Sequence, residues 1–386
     1  MDLEKIKAIA DDVKTLYRHL HAHPEISGEE RETSRFLQEQ MKALGYDLTV
    51  YDNFGFHGDL KGDEKGPTVA LRADMDALPI TEATQLPFCS ENPGLMHACG
   101  HDMHMACLLG TARYFSEHRH FPGNLRLIFQ PNEEKDGGAE PMVKEGVMKG
   151  VDYVMGLHVS PDLLTGTFGV LPGFMYASVE DFKITLKGKG GHAANPERAV
   201  DPIVCGGHVI VALQTIVARR FSPFTPAVVT IGSVHGGNKH NIIPSDMTIE
   251  GTIRANTKEN RDKLRAHLTE IAECTAKAHG CTCTVDIVKG YVPLINDEKA
   301  TASVKQTLEE TFGKDAVITL PTPTMAAEDF AYYLEEAPGT FINLGVGRPG
   351  EKAAIHTATF YPEEDALYYG IAAEVASALH FMNEGK

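Results

Sequence analysis

The sequence predicts an α/β protein: a mixed, mostly parallel sheet flanked by helices, interrupted by an inserted α+β segment. Apolar strand-like runs alternate with helical stretches through the first 160 or so residues. The texture changes near Val179 to half-exposed alternation, and helix–strand alternation resumes after about residue 292. With 386 residues and 42% hydrophobic content, the chain exceeds one ordinary core and can fill two.

The elements follow in order. Leu3, Ile6, Val13, Leu16 and Leu20 recur at helical spacing, and a second helical pattern in "EERETSRFLQEQMKAL" stops at Gly45, a suitable residue just past a helix end. "TVALRADM" (68–75), "NLRLIFQP" (124–131) and "YVMGLHV" (153–159) read as buried strands, with helical stretches starting near His101 and near Gly138. In such a sheet, the loops at the strands' carboxyl ends form the ligand crevice. "EDFKITLKGKGG" alternates as a half-exposed strand, and "DPIVCGGHVIVALQTIVARRF" reads as a helix. The strands "AVVTIGSV" and "MTIEGTIRA", a helix through "KENRDKLRAHLTEIAECTAKA" and the strand "CTVDIVKG" complete a compact unit of domain size. Helices through 298–312 and 327–336, the strand "TFINLGV" and a terminal helix follow. The expected division is a discontinuous domain, 1–178 with 293–386, and an inserted one, 179–292.

The balance of 36 basic against 53 acidic residues gives a net charge of −17, which repels phosphate backbones and anionic membranes. Neither nucleic acid nor a membrane is expected as a partner. The N-terminus lacks a basic stretch followed by an apolar one, and no apolar window of about 18 residues stands out, so a cytoplasmic location is expected. Seven scattered cysteines form no disulfide framework; reduced thiols are expected, one of them a candidate ligand.

"MHACGHDMH" (96–104) packs three histidines, a cysteine and an aspartate into nine positions. Cys99 and His101 flank Gly100, which permits the sharp path needed to aim both at one point. Glu133 and Glu134 follow a buried strand, where unpaired charge is costly unless it meets a cation. Adjacent side chains leaving a strand point to different sides, so one carboxylate can bind metal while the other faces a substrate and carries a proton. His158 and His356 stand near further strand ends, as do Asp74 and Asp76 of "RADMDALP", placed to orient a ligating imidazole. Each also has a plain structural role available, as a satisfied core histidine, a turn or a capping group.

The chain resembles the M20 family of metallopeptidases, in particular its branch of aminoacylases and amino-acid-conjugate amidohydrolases, such as hippurate and auxin-conjugate hydrolases. The resemblance runs nearly end to end, through "HAHPEISGEE", "RADMDALPI", "MHACGHDMH", "FQPNEE", "GLHV", "GKGGHAANPERAVDPI", "NIIP", "GTIRA", "AEDFAYY" and "IHTATF". It implies a catalytic domain holding two divalent metal ions (Zn, Mn, Co or Ni) and a smaller lid that also makes the contact of a homodimer or dimer-based tetramer. By the same resemblance Cys99, His101, Glu134, His158 and His356 are metal ligands, with Asp74 and Asp76 behind them. Glu133 is the general base, His192 steadies the oxyanion, and Asn241 and Arg254 hold the substrate's carboxylate.

The function implied is hydrolysis of the amide of an N-acyl-L-amino acid, N-acetyl, N-benzoyl or similar, to a carboxylic acid and a free amino acid. A metal-bridging water is the nucleophile and Glu133 its base. A dipeptidase, a carboxypeptidase or an N-acetyldiaminopimelate deacetylase would share this site. A cysteine hydrolase using Cys99 with His101 or His104 leaves the glutamate pair unexplained, and a structural zinc site in a non-catalytic protein predicts no turnover. Asn132 stands where alanine usually precedes the paired glutamates, "AAEDF" replaces the usual Gly-Ser before "EDF", and Glu197 stands where histidine is frequent. These departures spare the ligands and bear on substrate preference.

Overall fold

The computed structural model describes residues 1–384. The chain forms two compact units: Met1–Met175 with Ile295–Pro323 and Asp329–Lys386, and Tyr176–Leu294 with Thr324–Glu328.

In the first unit, α1 (Leu3–Ala22) is capped by Asp2, whose carboxylate accepts the Lys5 N–H, and it buries Ile6, Ile9, Val13, Tyr17 and Leu20. Helix α2 (Arg31–Ala43) ends before Gly45, which takes the left-handed φ of 80° expected of it. The strands that follow are β1 (Asp47–Val50), β2 (Phe56–Lys61) and β3 (Glu64–Asp74); then come α3 (His101–Glu117), β4 (Pro122–Gln130), α4 (Ala139–Lys144), β5 (Tyr153–Leu164) and β6 (Phe168–Val170). Two more strands, Val317–Thr319 and Gly339–Gly347, complete an eight-stranded sheet ordered β1, β2, β4, β3, β5, Gly339–Gly347, β6, Val317–Thr319. Four of its seven pairings are parallel, which makes it the mixed, mostly parallel sheet expected.

Helix α3 is buried almost all round, including Met103, Met105, Ala106, Leu108 and Leu109, because α1 and the terminal helix Ala366–Asn383 pack on it above the sheet. That explains why its sequence lacks a clear polar face. Two helical readings shrink: the stretch near Gly138 is only Ala139–Lys144, and 327–336 yields only Ala331–Leu334, the rest being turn or irregular. The short strands β1, β2, β6 and Val317–Thr319 had no legible alternation.

The second unit is a four-stranded antiparallel sheet, ordered Ala227–Gly236, Asp246–Ala255, Ser178–Lys187, Thr282–Lys289. Alternate residues Phe182, Ile184 and Leu186 face a core with Cys205, Val209 and Leu213 of helix Pro202–Leu213 and Leu264 and Leu268 of helix Lys258–Ala278. A five-residue π-helical turn, Ile216–Arg220, extends the first of these. Together, Pro202–Arg220 is long and apolar enough to cross a membrane by length and composition, which corrects the expectation that no such window exists. Cys205, Val209, Leu213 and Ile216 bury one side of it in this unit's core.

Near the carboxyl end of β3 lies a fully buried arginine. Arg72 Nη1 donates to Asp74 Oδ2 at 2.6 Å, Nη2 to Asp329 Oδ1 at 3.0 Å and Nε to Gln130 Oε1 at 2.8 Å. Asp329 also accepts the N–H groups of Gly138 and Ala139, both at 2.9 Å. Replacing Arg72 by Leu strands two buried carboxylates, so a loss of about 3–5 kcal/mol is expected in denaturant unfolding; a loss within 1 kcal/mol would show that the network is not needed.

Candidate metal centre

The donors are positioned by backbone features of the first unit. Gly100 precedes α3 at φ 86°, and a Cβ there would lie 2.5 Å from Val159 Cγ2, so conformation and packing both demand glycine between Cys99 and His101. His158 lies within β5, beyond Gly156, the last residue paired with β3. His356 sits at φ 60° in a loop, anchored by its N–H on Ala98 O at 2.8 Å. Asn132 also takes a left-handed φ, 61°, which Asn tolerates better than most residues.

These elements bring the donors together. Cys99 Sγ lies 3.3 Å from His158 Nε2 and 3.2 Å from His356 Nε2. His356 Nε2 is 3.0 Å from Glu134 Oε1. Donor atoms of Cys99, His101 and His158, of Cys99, Glu134 and His356, and of His101, Glu133 and Glu134 form groups within 4.8 Å. The glutamates therefore do not diverge to opposite sides as strand alternation predicted. Strand β4 ends at Gln130, and the turn through Asn132 turns both carboxylates to one cluster.

The surroundings fix which nitrogens face inward. His101 Nδ1–H donates to the Asp76 carbonyl at 2.9 Å, and His158 Nδ1–H to the Val159 carbonyl at 2.7 Å, which leaves both Nε2 atoms pointing at the cluster. His101 Nε2 is buried without a hydrogen-bond partner; acidic oxygens of Asp74 and Glu134 lie 3.7 and 4.0 Å away. His104 has a different role: Nδ1–H donates to Asp74 Oδ1 at 2.6 Å and Nε2 accepts the Val159 N–H at 2.9 Å, so both nitrogens are used. Asp102 is held by His21 at 2.6 Å and accepts the Met103 N–H.

Electrostatically, the pocket calls for positive charge. Burial disfavours the His101 imidazolium, yet Asp74 and Asp76 overcome it and push the group up to about 10. Burial, reinforced by Glu134 and Glu133, drives the Cys99 thiol well above its usual value. Burial pushes His104 down to about 4 despite Asp74, in keeping with a neutral ring that donates from Nδ1 and accepts at Nε2. A nitrogen, sulfur and carboxylate donor set around an orphaned buried imidazole nitrogen fits a borderline-soft divalent cation.

A model of the Peptidase family M20/M25/M40 matches residues 70–380. The chain belongs to that family. Within it, the chain is 42% identical over 330 residues to an N-acetyl-L-cysteine deacetylase of Bacillus subtilis, covering 85% of this chain and 79% of that one. It is 38% identical over 400 residues to thermostable carboxypeptidase 1 of Saccharolobus solfataricus, covering all of both chains. Its fold matches the Bacillus subtilis YXEP protein, described as a dinuclear metal binding peptidase, with a TM-score of 0.85 at 33% identity over 97% of this chain and 98% of the other. It is a hydrolase of the M20 family, built on the fold of a dinuclear metallopeptidase.

The remaining residues expected at the site belong to the second unit. His192 is exposed and pairs with Ile242 across a two-stranded ribbon, where Ala193 N–H donates to Asn241 O at 3.2 Å. Arg254 lies on strand Asp246–Ala255, and its Nη1 donates to Met325 O at 3.0 Å. Sequence reasoning passed over His21, Glu30 and Arg72. Arg72 left a signal, a lone charge inside an apolar strand; the first two stood only as part of a family motif.

Zinc-type ligands must be deprotonated, so a cation entering this donor set displaces protons from Cys99 and His101, and its affinity rises with pH through neutrality. Calorimetry with Zn²⁺ at pH 7, in two buffers of different ionisation enthalpy, is expected to show net proton release. A heat independent of buffer would remove these two groups from the donor set.

Proposed function

We propose that the chain hydrolyses the amide bond of N-acyl-L-amino acids, releasing a carboxylic acid and the free amino acid. The observation that carries this reading is the convergence of Cys99, His101, Glu134, His158 and His356 with a second carboxylate, Glu133, in the same cluster. Those five would hold two divalent ions, Zn, Mn, Co or Ni, which when bound supply Lewis-acid polarisation of the scissile carbonyl and acidify water. Asp74 and Asp76, through His104 and His101, hold the ligand shell in register.

Glu133 takes the proton of the attacking water on a carboxylate oxygen and returns it to the leaving amine nitrogen, so the amino acid departs as a neutral amine. Its position 7% exposed keeps bulk water from competing for that proton. His192 donates to the oxygen that gains negative charge. Asn241 and Arg254 hold the amino acid's own carboxylate, Arg254 by its planar fork. The deacetylase relative supports a small acyl group, and the carboxypeptidase relative keeps open a second reading, removal of a C-terminal residue from a peptide.

A homodimer, or a dimer-based tetramer, through the second unit completes the proposal. Val204 and Val211 of helix Pro202–Leu213 are more than half exposed, and Phe224 beyond it is 93% exposed, apolar surface that suits self-association.

A panel of N-acetyl, N-benzoyl and dipeptide substrates separates these readings. Glu133→Gln is expected to keep metal content near wild type while kcat falls by about 10² or more; full activity would refute the base assignment. His192→Ala is expected to lose turnover and keep metal. Mixing it with Glu133→Gln restores activity when His192 serves a neighbouring subunit's site, and restores none when it serves its own.

A further inference from the structure

Resting on the hydrolytic reading above, a further question is what aims Glu133. The residue follows β4 in a turn, and its neighbours on both sides are tied down. On one side the Asn132 N–H donates to Glu30 Oε1 at 2.8 Å, and the same oxygen accepts the Gly28 N–H at 2.9 Å. On the other side the Glu134 N–H donates to Asp76 Oδ2 at 2.9 Å, and that oxygen accepts Ser27 Oγ–H at 2.7 Å. Thus the loop 27–30 holds the N–H of the residue before Glu133 directly and the peptide after Glu133 through Asp76.

The grip is itself rigid. Glu30 is 0% exposed and Asp76 1%, so their hydrogen bonds do not compete with water. Ala77 N–H donates to Glu25 O at 2.8 Å, and Ile26 bridges Ala77, which pins the loop to the end of the same segment that carries Asp76. Glu25 in turn accepts the Glu32 and Thr33 N–H groups and fixes the loop on the start of α2. Asn132 holds its φ of 61° inside this frame, a conformation that persists only where its surroundings impose it.

We infer that Glu30 is a positioning residue for the general base: together with Ser27 and Asp76 it clamps the Asn132 and Glu134 amides and so sets the direction of the Glu133 carboxylate. A displacement of about 1 Å at a catalytic group costs up to 10²-fold in rate.

The test uses the metal-loaded enzyme with Glu30→Ala and Glu30→Gln. The glutamine keeps an oxygen able to accept both N–H groups, and its amide takes the place of Oε2, which has no hydrogen-bond partner. For Glu30→Ala, kcat is expected to fall by about tenfold or more, with KM within about twofold and metal stoichiometry unchanged. Amide exchange across residues 129–138 should also quicken, and Glu30→Gln should recover most of the rate. Val304→Ala, a buried site in the same unit, supplies a control of matched Tm.

Wild-type kcat in Glu30→Ala, or a loss no greater than that of the matched control, overturns the inference, as does unchanged exchange across 129–138. A wild-type enzyme that cleaves no acyl-amino acid counts against the proposed function instead, and the exchange measurement still decides whether the clamp exists.

Discussion

The structure depends on the charge of Arg72. A guanidinium inside an apolar parallel sheet is tolerable only because Asp74, Asp329 and Gln130 meet its donors, and Asp74 in turn lies 3.7 Å from His101 Nε2. Asp74 passes the constraint upward: its second oxygen receives His104, whose far nitrogen receives the Val159 amide beside His158. Asp329 passes it sideways to the Gly138 and Ala139 amides, where the turn that began after Gln130 closes. One buried cation therefore orders both the strand bearing His158 and the turn bearing Glu133 and Glu134.

Above that foundation, negative charge is in excess. Asp74, Asp76, Glu133 and Glu134 crowd around His101, and the acid groups hold its proton to about 10. The same field that retains a proton attracts a metal cation, and the two compete for one location. Hydrogen bonds at the outer nitrogens of His101 and His158 decide which atoms face that location, so orientation is settled before any ligand arrives.

Much of this was legible in the chain. The long strands and the helices of the inserted unit carry simple periodicities, and the chemistry-bearing side chains of the first unit sit at strand ends, where a parallel sheet gathers its loops. Three kinds of feature were not legible. Short strands such as Phe168–Val170 exist because the sheet edge offers them a partner, which is a tertiary cause. The common direction of Glu133 and Glu134 depends on a left-handed residue at Asn132, which overrides strand alternation and leaves only the Asn itself as a hint. The roles of His21 and Glu30 depend on partners 81 and 102 positions away, a separation no local pattern reveals.

The donors are scattered along the chain, with Cys99 near one end of the set and His356 contributed only after the whole inserted unit has been made. Under the proposed ligand set, a nascent polypeptide carries an incomplete chelate until His356 has been added. On that reading the full donor set exists only after the second unit has been synthesised, and a product cut short before His356 lacks a ligand.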